Sequence, residues 1–200
     1  MQTAQANILN LLKSQTRNQH DQIEQNPLTK AIIENTISPE SYALLLRRFY
    51  GFYKATEPLL LRSSFWAENT FEIHQRQRLP MLKADLLCLG HTPQQIESLT
   101  PCPNVPTLQT PAQMLGYLYV VEGSSLGGQV LSRQLSQKLG YTQSDGASYF
   151  NTYGKDNLRQ MWFGFQQLLT DYTEQNPDQE QTIIEAAQTT FSTLDAWLRQ

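Results

Sequence analysis

The sequence predicts an all-α protein folded as one domain over residues 1–200. Three observations carry that expectation. Apolar residues recur at three- and four-residue spacing through almost the whole chain, the period of a helix with one buried face. Ser38-Pro39, Thr92-Pro93 and Thr110-Pro111 each pair a capping side chain with a proline suited to the first helical position. No segment alternates apolar and polar residues as a half-buried strand does, and nothing repeats internally. A chain of 200 residues suits a single core.

The elements follow in order. Residues 4–24 read as one helix, with Ile8, Leu11, Leu12 and Gln15 near one face, ended by Asn26-Pro27. A short helix covers 28–34. Ser38 caps the next, which carries Tyr42, Leu45, Leu46, Phe49, Phe52 and Tyr53 and runs to about residue 66. Another covers 71–89, with Leu79, Leu82, Leu86 and Leu89 on one side and Gly90 just past its end. Thr92-Pro93 opens a short helix to about Leu99. PCPNVP at 101–106 reads as an intradomain loop, because its flanks are equally helical and too small to stand alone. Thr110-Pro111 starts a long helix to about Leu139, stopped by Gly140. After the polar stretch YTQSDGAS, helices at 155–174 and 178–198 close the chain.

Composition excludes several function classes. Hydrophobic residues at 40% and aromatics at 10% argue against disorder. A net charge of −3, a pI near 5.6 and no basic stripe argue against a nucleic-acid binder. No apolar run approaches the roughly 18 residues of a membrane span. The first residues, MQTAQANILNLLKSQ, lack the basic, apolar and small-residue regions of a secretory signal, so a cytoplasmic protein is expected. Two cysteines, Cys88 and Cys102, are too few for a disulfide scaffold or an all-cysteine metal site.

Chemistry concentrates in two segments. Gly123-Ser124-Ser125-Leu126-Gly127-Gly128-Gln129 lies inside the long helix. Each mid-helix glycine costs about 0.5–1 kcal/mol relative to alanine, so three within six positions should break or bend the helix. Helical apolar spacing nevertheless continues on both sides, through Leu115-Leu118-Val121 and Val130-Leu131-Leu135. Such a conflict marks a functional or strained site. Bare backbone there serves either close approach of a flat ligand or tight helix packing. The segment follows a helix, not a strand, and lacks a Walker lysine, so it is no phosphate loop. The second segment holds His20, with Lys13 seven and Arg17 three residues earlier, on roughly one helical face. A neutral imidazole ligates metals, heme iron included. Cations beside it suit a ligand that joins a metal to carboxylates. The other reading is a solvent-exposed histidine in a charged helix. His74 and His91 carry no role.

With LKSQTRNQH near its start and LYVVEGSSLGGQVLSRQL past its middle, the chain resembles the heme oxygenases. It looks most like the bacterial type that accompanies phytochromes, and the similarity extends to the closing IIEAAQTTFSTLDAWL. The resemblance implies heme held between a proximal helix and a kinked distal helix. It places His20 at the proximal iron ligand. Gly123 and Gly127 fall on the paired distal glycines, and Gly128 and Gln129 complete their motif. Lys13 falls on a cation that pairs with a heme propionate, Arg159 is a second propionate candidate, and Phe191 lines the pocket. Two positions depart from the common pattern: Phe163 stands where many members carry an arginine, and Ser124 where many carry an aspartate. The phytochrome-associated subgroup also lacks that aspartate.

The activity so implied makes heme both cofactor and substrate. O2 binds opposite His20, Gly123, Ser124 and Gly127 form the reacting side, and the ring ends as biliverdin, CO and free iron. No flavin or nicotinamide motif is visible, so electrons must come from a separate donor such as a ferredoxin or reductase. Hand-off of product to a phytochrome is a further implied partnership; nucleic acid and membrane are not. Two alternatives are a heme-binding or heme-trafficking protein without turnover, and a thiaminase-like hydrolase of similar helical build. The latter needs a cysteine or carboxylate constellation in the core, whereas Cys88 lies near a helix end and Cys102 in the proline-rich loop.

Overall fold

Capping side chains set where the helices begin in the computed structural model, which describes residues 7–200. α1 (Ile8–Gln15) starts behind Asn7, whose side chain accepts the Leu9 N–H, and leads into α2 (Arg17–Glu24). α3 (Pro27–Ile33) starts behind Asn26, which accepts from Leu28. α4 (Pro39–Leu61) starts behind Ser38, which accepts from Ser41. α5 (Phe65–Glu68), a 3-10 turn at Ile73–Arg76 and α6 (Leu79–Cys88) follow. Reciprocal Thr92–Gln95 and Thr110–Gln113 capping boxes open α7 (Pro93–Glu97) and α8 (Pro111–Leu139). α9 (Gly154–Gln175) and α10 (Glu180–Leu198) complete the set. Among the described residues there is no strand, only isolated bridges at Thr142, and no helix is long and apolar enough to cross a membrane.

Three sequence expectations need correction. The helix expected over 4–24, whose residues 4–6 lie outside the described part, divides at Thr16. There φ is −104° and ψ 2°, and the hydroxyl donates to the Leu12 carbonyl at 2.7 Å, a back-bond that bends helices. The helix expected to reach 66 ends at Leu61, where the Trp66 indole donates to the Leu60 carbonyl at 2.6 Å. The helix expected over 71–89 becomes the 3-10 turn plus α6, because Pro80 fits only a first turn. The long helix expected from Thr110-Pro111 to Leu139 does form: α8 continues through Gly123–Gln129 despite the glycines. Buried Val120, Val121, Glu122, Ser125 and Gly128 hold its other face. Gly140 ends it at φ +76°.

α8 is the central helix, and α10 packs along it. The closest approach is at Gly116, where an added Cβ would meet the Ile183 carbonyl and lie 2.7 Å from the Ala186 Cβ. α4 packs on α6, and α2 rests on α10. Buried phenols find partners: Tyr53 and Tyr149 share a 3.0 Å hydrogen bond, Tyr117 meets Thr56 at 2.9 Å, and Tyr42 donates to the Gly146 carbonyl at 2.7 Å.

Two buried carboxylates act as caps across the tertiary structure. Asp85 of α6 accepts the Ser148 N–H, the Ser148 hydroxyl and the Tyr149 N–H at 2.7–2.8 Å, which pins the segment before α9. Glu57 of α4 accepts the Arg78 and Leu79 N–H groups at the start of α6. Burial pushes the Glu57 carboxyl above its ordinary 4.5, and those N–H groups only partly pull it back. An acid with a raised folded-state value binds more protons folded than unfolded. Its contribution to stability therefore falls as pH rises from 4.5 toward the raised value. Relative to Glu57→Gln, wild type should lose stability in urea melts as pH rises above the ordinary 4.5. Parallel pH profiles for the two proteins would remove Glu57 from this linkage.

Candidate functional site

The second half of α8 leaves an apolar face uncovered. Gly123, Leu126, Gly127 and Val130 fall at the i, i+3, i+4, i+7 positions that ordinarily pack into a core. Here Leu126 is 43% and Val130 60% exposed. Phe163 of α9 is 65% exposed. Large apolar side chains left uncovered near bare backbone mark a binding surface rather than a fold requirement.

The glycines of α8 divide into two kinds. A Cβ on Gly127 would meet nothing within 4 Å, and one on Gly123 would only touch the Trp162 ring of α9 at 3.9 Å. A Cβ on Gly128 would stand 2.6 Å from the Phe150 carbonyl oxygen. Gly128 is therefore required by packing against the 3-10 turn Tyr149–Asn151, on the side away from the open stripe. The sequence left ligand approach and helix packing as alternatives for the whole run. The geometry gives Gly128 to packing, and packing does not account for Gly123 or Gly127.

Thr16, where α1 meets α2, comes near α8. The Tyr119 phenol, one turn before Gly123, lies beside the Thr16 hydroxyl; burial pushes that phenol up and Thr16 pulls it back. The His20 N–H donates to the Thr16 carbonyl at 2.9 Å. His20 and Gly123 thus each lie one turn from the same interhelical contact. The Phe191 ring of α10, buried, meets the His20 ring edge-on with centroids 5.9 Å apart. The imidazole is 55% exposed, with Nδ1 3.7 Å from a Glu24 carboxylate oxygen and 4.0 Å from one of Asp21. Those three residues are the group of metal-capable side chains found among the described residues.

The remaining sequence candidates are less closely gathered. Lys13 is exposed on α1, and the division at Thr16 falls between it and Arg17 and His20. Arg17 lies 4.0 Å from Asp21. Arg159 is exposed on α9, one turn before Phe163. Gln129 is half-buried. Ser124 is exposed, and its hydroxyl donates back to the Val121 carbonyl at 2.8 Å.

Sequence reasoning missed the charged cluster behind the stripe. Glu122, the residue before Gly123, is buried with Arg76 and Arg78. Its carboxylate accepts from Arg76 at 2.5 Å, from Arg78 at 2.9 Å and from the Tyr153 phenol at 2.8 and 3.1 Å. Burial alone would lower the Arg78 guanidinium; Glu122, together with the phenols of Tyr153, Tyr53 and Tyr149, more than reverses this and holds it above its ordinary value. Removing one member of such a buried set leaves an uncompensated charge. The legible hint was a lone glutamate in the apolar run LYVVEG.

Comparison with known proteins fits this geometry. A family model described as heme oxygenase matches residues 6–200. The chain belongs to the heme oxygenase family. A curated heme oxygenase from Xanthomonas campestris pv. campestris is 32% identical over 117 residues, 56% of this chain and 62% of that relative. The match thus spans less than two thirds of the relative's length. The fold agrees with a heme oxygenase structure from Leptospira interrogans, with a TM-score of 0.79 at 17% identity, covering 96% of this chain and 98% of that one. It also agrees with the heme oxygenase of Neisseria meningitidis, with a TM-score of 0.78 at 22% identity, covering 98% and 92%.

For a family member whose open stripe has glycine at two unobstructed positions, stability and ligand fit pull apart. Gly123→Ala and Gly127→Ala should each raise the melting temperature of the heme-free protein, by the equivalent of about 0.5–1 kcal/mol. Gly116→Ala and Gly128→Ala should lower it, because each new methyl meets backbone. Thermal melts of the four variants check this; the same sign in all four would erase the distinction.

Proposed function

We propose that the chain cleaves heme with O2 and external electrons to biliverdin, CO and iron. The observation that carries this reading is the uncovered stripe Gly123, Leu126, Gly127 and Val130, near a histidine one turn from a shared contact. A flat, largely apolar ring bearing a metal and two carboxylates suits that combination. A heme oxygenase from Synechocystis has been solved in complex with heme on the same fold, with a TM-score of 0.75.

Heme, when bound, supplies the iron that takes up O2 and the ring that is oxidised. The residues of this chain bind and orient it. His20 is the iron ligand: carboxylates beside Nδ1 favour a proton there and leave Nε2 free to ligate. Phe191 limits rotation of the imidazole and closes the pocket floor. Gly123 and Gly127 let backbone meet the opposite face of the ring, and no acid side chain stands among them. Lys13 and Arg159 are exposed cations available to the propionates, and Gln129 borders the stripe. Ser124 spends its proton on the Val121 carbonyl, so delivery of protons rests on water ordered by helix carbonyls.

The finer assignment is to the phytochrome-associated type, supported by Ser124 in place of the common aspartate. On that assignment the protein is cytoplasmic, draws electrons from a ferredoxin or reductase, and passes its product to a phytochrome.

Hemin titration followed by ferredoxin-driven turnover tests the proposal. Wild type should bind one heme and release biliverdin; a stable complex with no pigment release would make it a binder instead. His20→Ala should abolish turnover and change the ferric spectrum, and an unaltered spectrum with normal turnover would reject His20 as ligand. Ser124→Ala should retain most of the wild-type rate, whereas a loss of about tenfold or more would give the hydroxyl a direct part in proton delivery.

A further inference from the structure

Glu122 joins two helices at the point where the open stripe begins. Through Arg76 it reaches α9: one guanidinium nitrogen donates to Glu122 at 2.5 Å and the other to the Met161 carbonyl at 3.1 Å. Glu122 immediately precedes Gly123, and Met161 immediately precedes Trp162. A Cβ on Gly123 would lie in ordinary contact with the Trp162 ring, 3.9 Å away. The bridge therefore spans the same two helices one residue away from that gap.

A second tie starts at the head of α9. Tyr153 has φ +70° and is followed by Gly154 at φ +66°. A left-handed conformation at a bulky aromatic residue is strained and persists only where surroundings enforce it. The enforcing contacts are the two hydrogen bonds to Glu122 and the Arg78 guanidinium, 4.9 Å above the ring. Arg78 also reaches the Ser125 hydroxyl at 3.1 Å, fixing α8 on the other side of Gly123. One carboxylate thus ties the start and the middle of α9 to the turn of α8 that carries Gly123.

We propose that Glu122 and Tyr153 are positioning residues that set the spacing between the Gly123 backbone and Trp162, and so how closely heme is held against α8. This rests on the heme reading above. Neither residue lies in the open stripe; both act through the Gly123–Trp162 gap. Loss of the Tyr153 hydroxyl lets the head of α9 relax out of its left-handed turn and frees Trp162 to shift. The same change leaves α4 and α10 untouched.

The test uses Tyr153→Phe, which removes only the hydroxyl, with Glu122→Gln as the charge-removing companion and Trp162→Ala as the partner in a double-mutant cycle. In the heme-free protein, amide exchange in Tyr153→Phe should speed up together at 119–127 and 154–164, with α4 and α10 unchanged. Hemin titration should show affinity weakened about tenfold in Tyr153→Phe, with little further loss when the change is added to Trp162→Ala. Full additivity of the two losses would mean that Tyr153 does not act through Trp162 and would overturn the proposal. Exchange that rises across the whole molecule would overturn it too, as general destabilisation. If Glu122→Gln fails to fold, Tyr153→Phe still decides. If wild type binds no heme, the heme reading fails by itself, while the exchange pattern still reports whether the tie between α8 and α9 exists.

Discussion

Close approach of α8 and α10 is the constraint on which the other placements rest. At Gly116 the two backbones stand nearer than any side chain allows, so α10 lies along α8 in one register. That register carries Phe191 to the edge of the His20 ring, because α2 in turn rests on α10. A shift of either helix would move the imidazole relative to the glycines. Van der Waals contact between bare backbone segments is short-ranged and steep, which makes it a stiff reference for a site assembled from three separate helices.

The helices were readable because their signals are local. Ser38, Thr92 and Thr110 cap the helices they were expected to start, and Gly140 stops α8 in the left-handed region. Where the reading failed, a distant or off-pattern contact decided. The division at Thr16 depends on a hydroxyl turning back on Leu12, and the end of α4 on an indole six residues away. The course of α8 through its glycines was legible, by contrast, because apolar spacing on both sides marks the buried face that holds it.

The site was legible in part for the same reason. The glycine run stands out because it contradicts its helical surroundings, and His20 because Lys13 and Arg17 precede it at helical spacing. Gly128 looked equivalent to Gly123 and Gly127, since a sequence does not record that Phe150 crosses behind one of the three. The Glu122 cluster was hidden because its members come from separate stretches at 76–78, 122 and 153. Its burial makes it costly to rearrange, so it suits a fixed frame better than a moving part.

The uncovered stripe on α8 has a temporal side. A protein that keeps its ligand can hide such a surface for good after loading. A protein that consumes its ligand cannot. On the proposed chemistry the ring leaves as an open chain, and Leu126, Val130 and Phe163 return to water with every cycle. The bare state is then a recurring stage of the working molecule, and the fold has to hold its shape around an empty cleft. The closely packed helices and buried ion cluster behind the stripe serve that need, because they hold their places without help from the ligand in front.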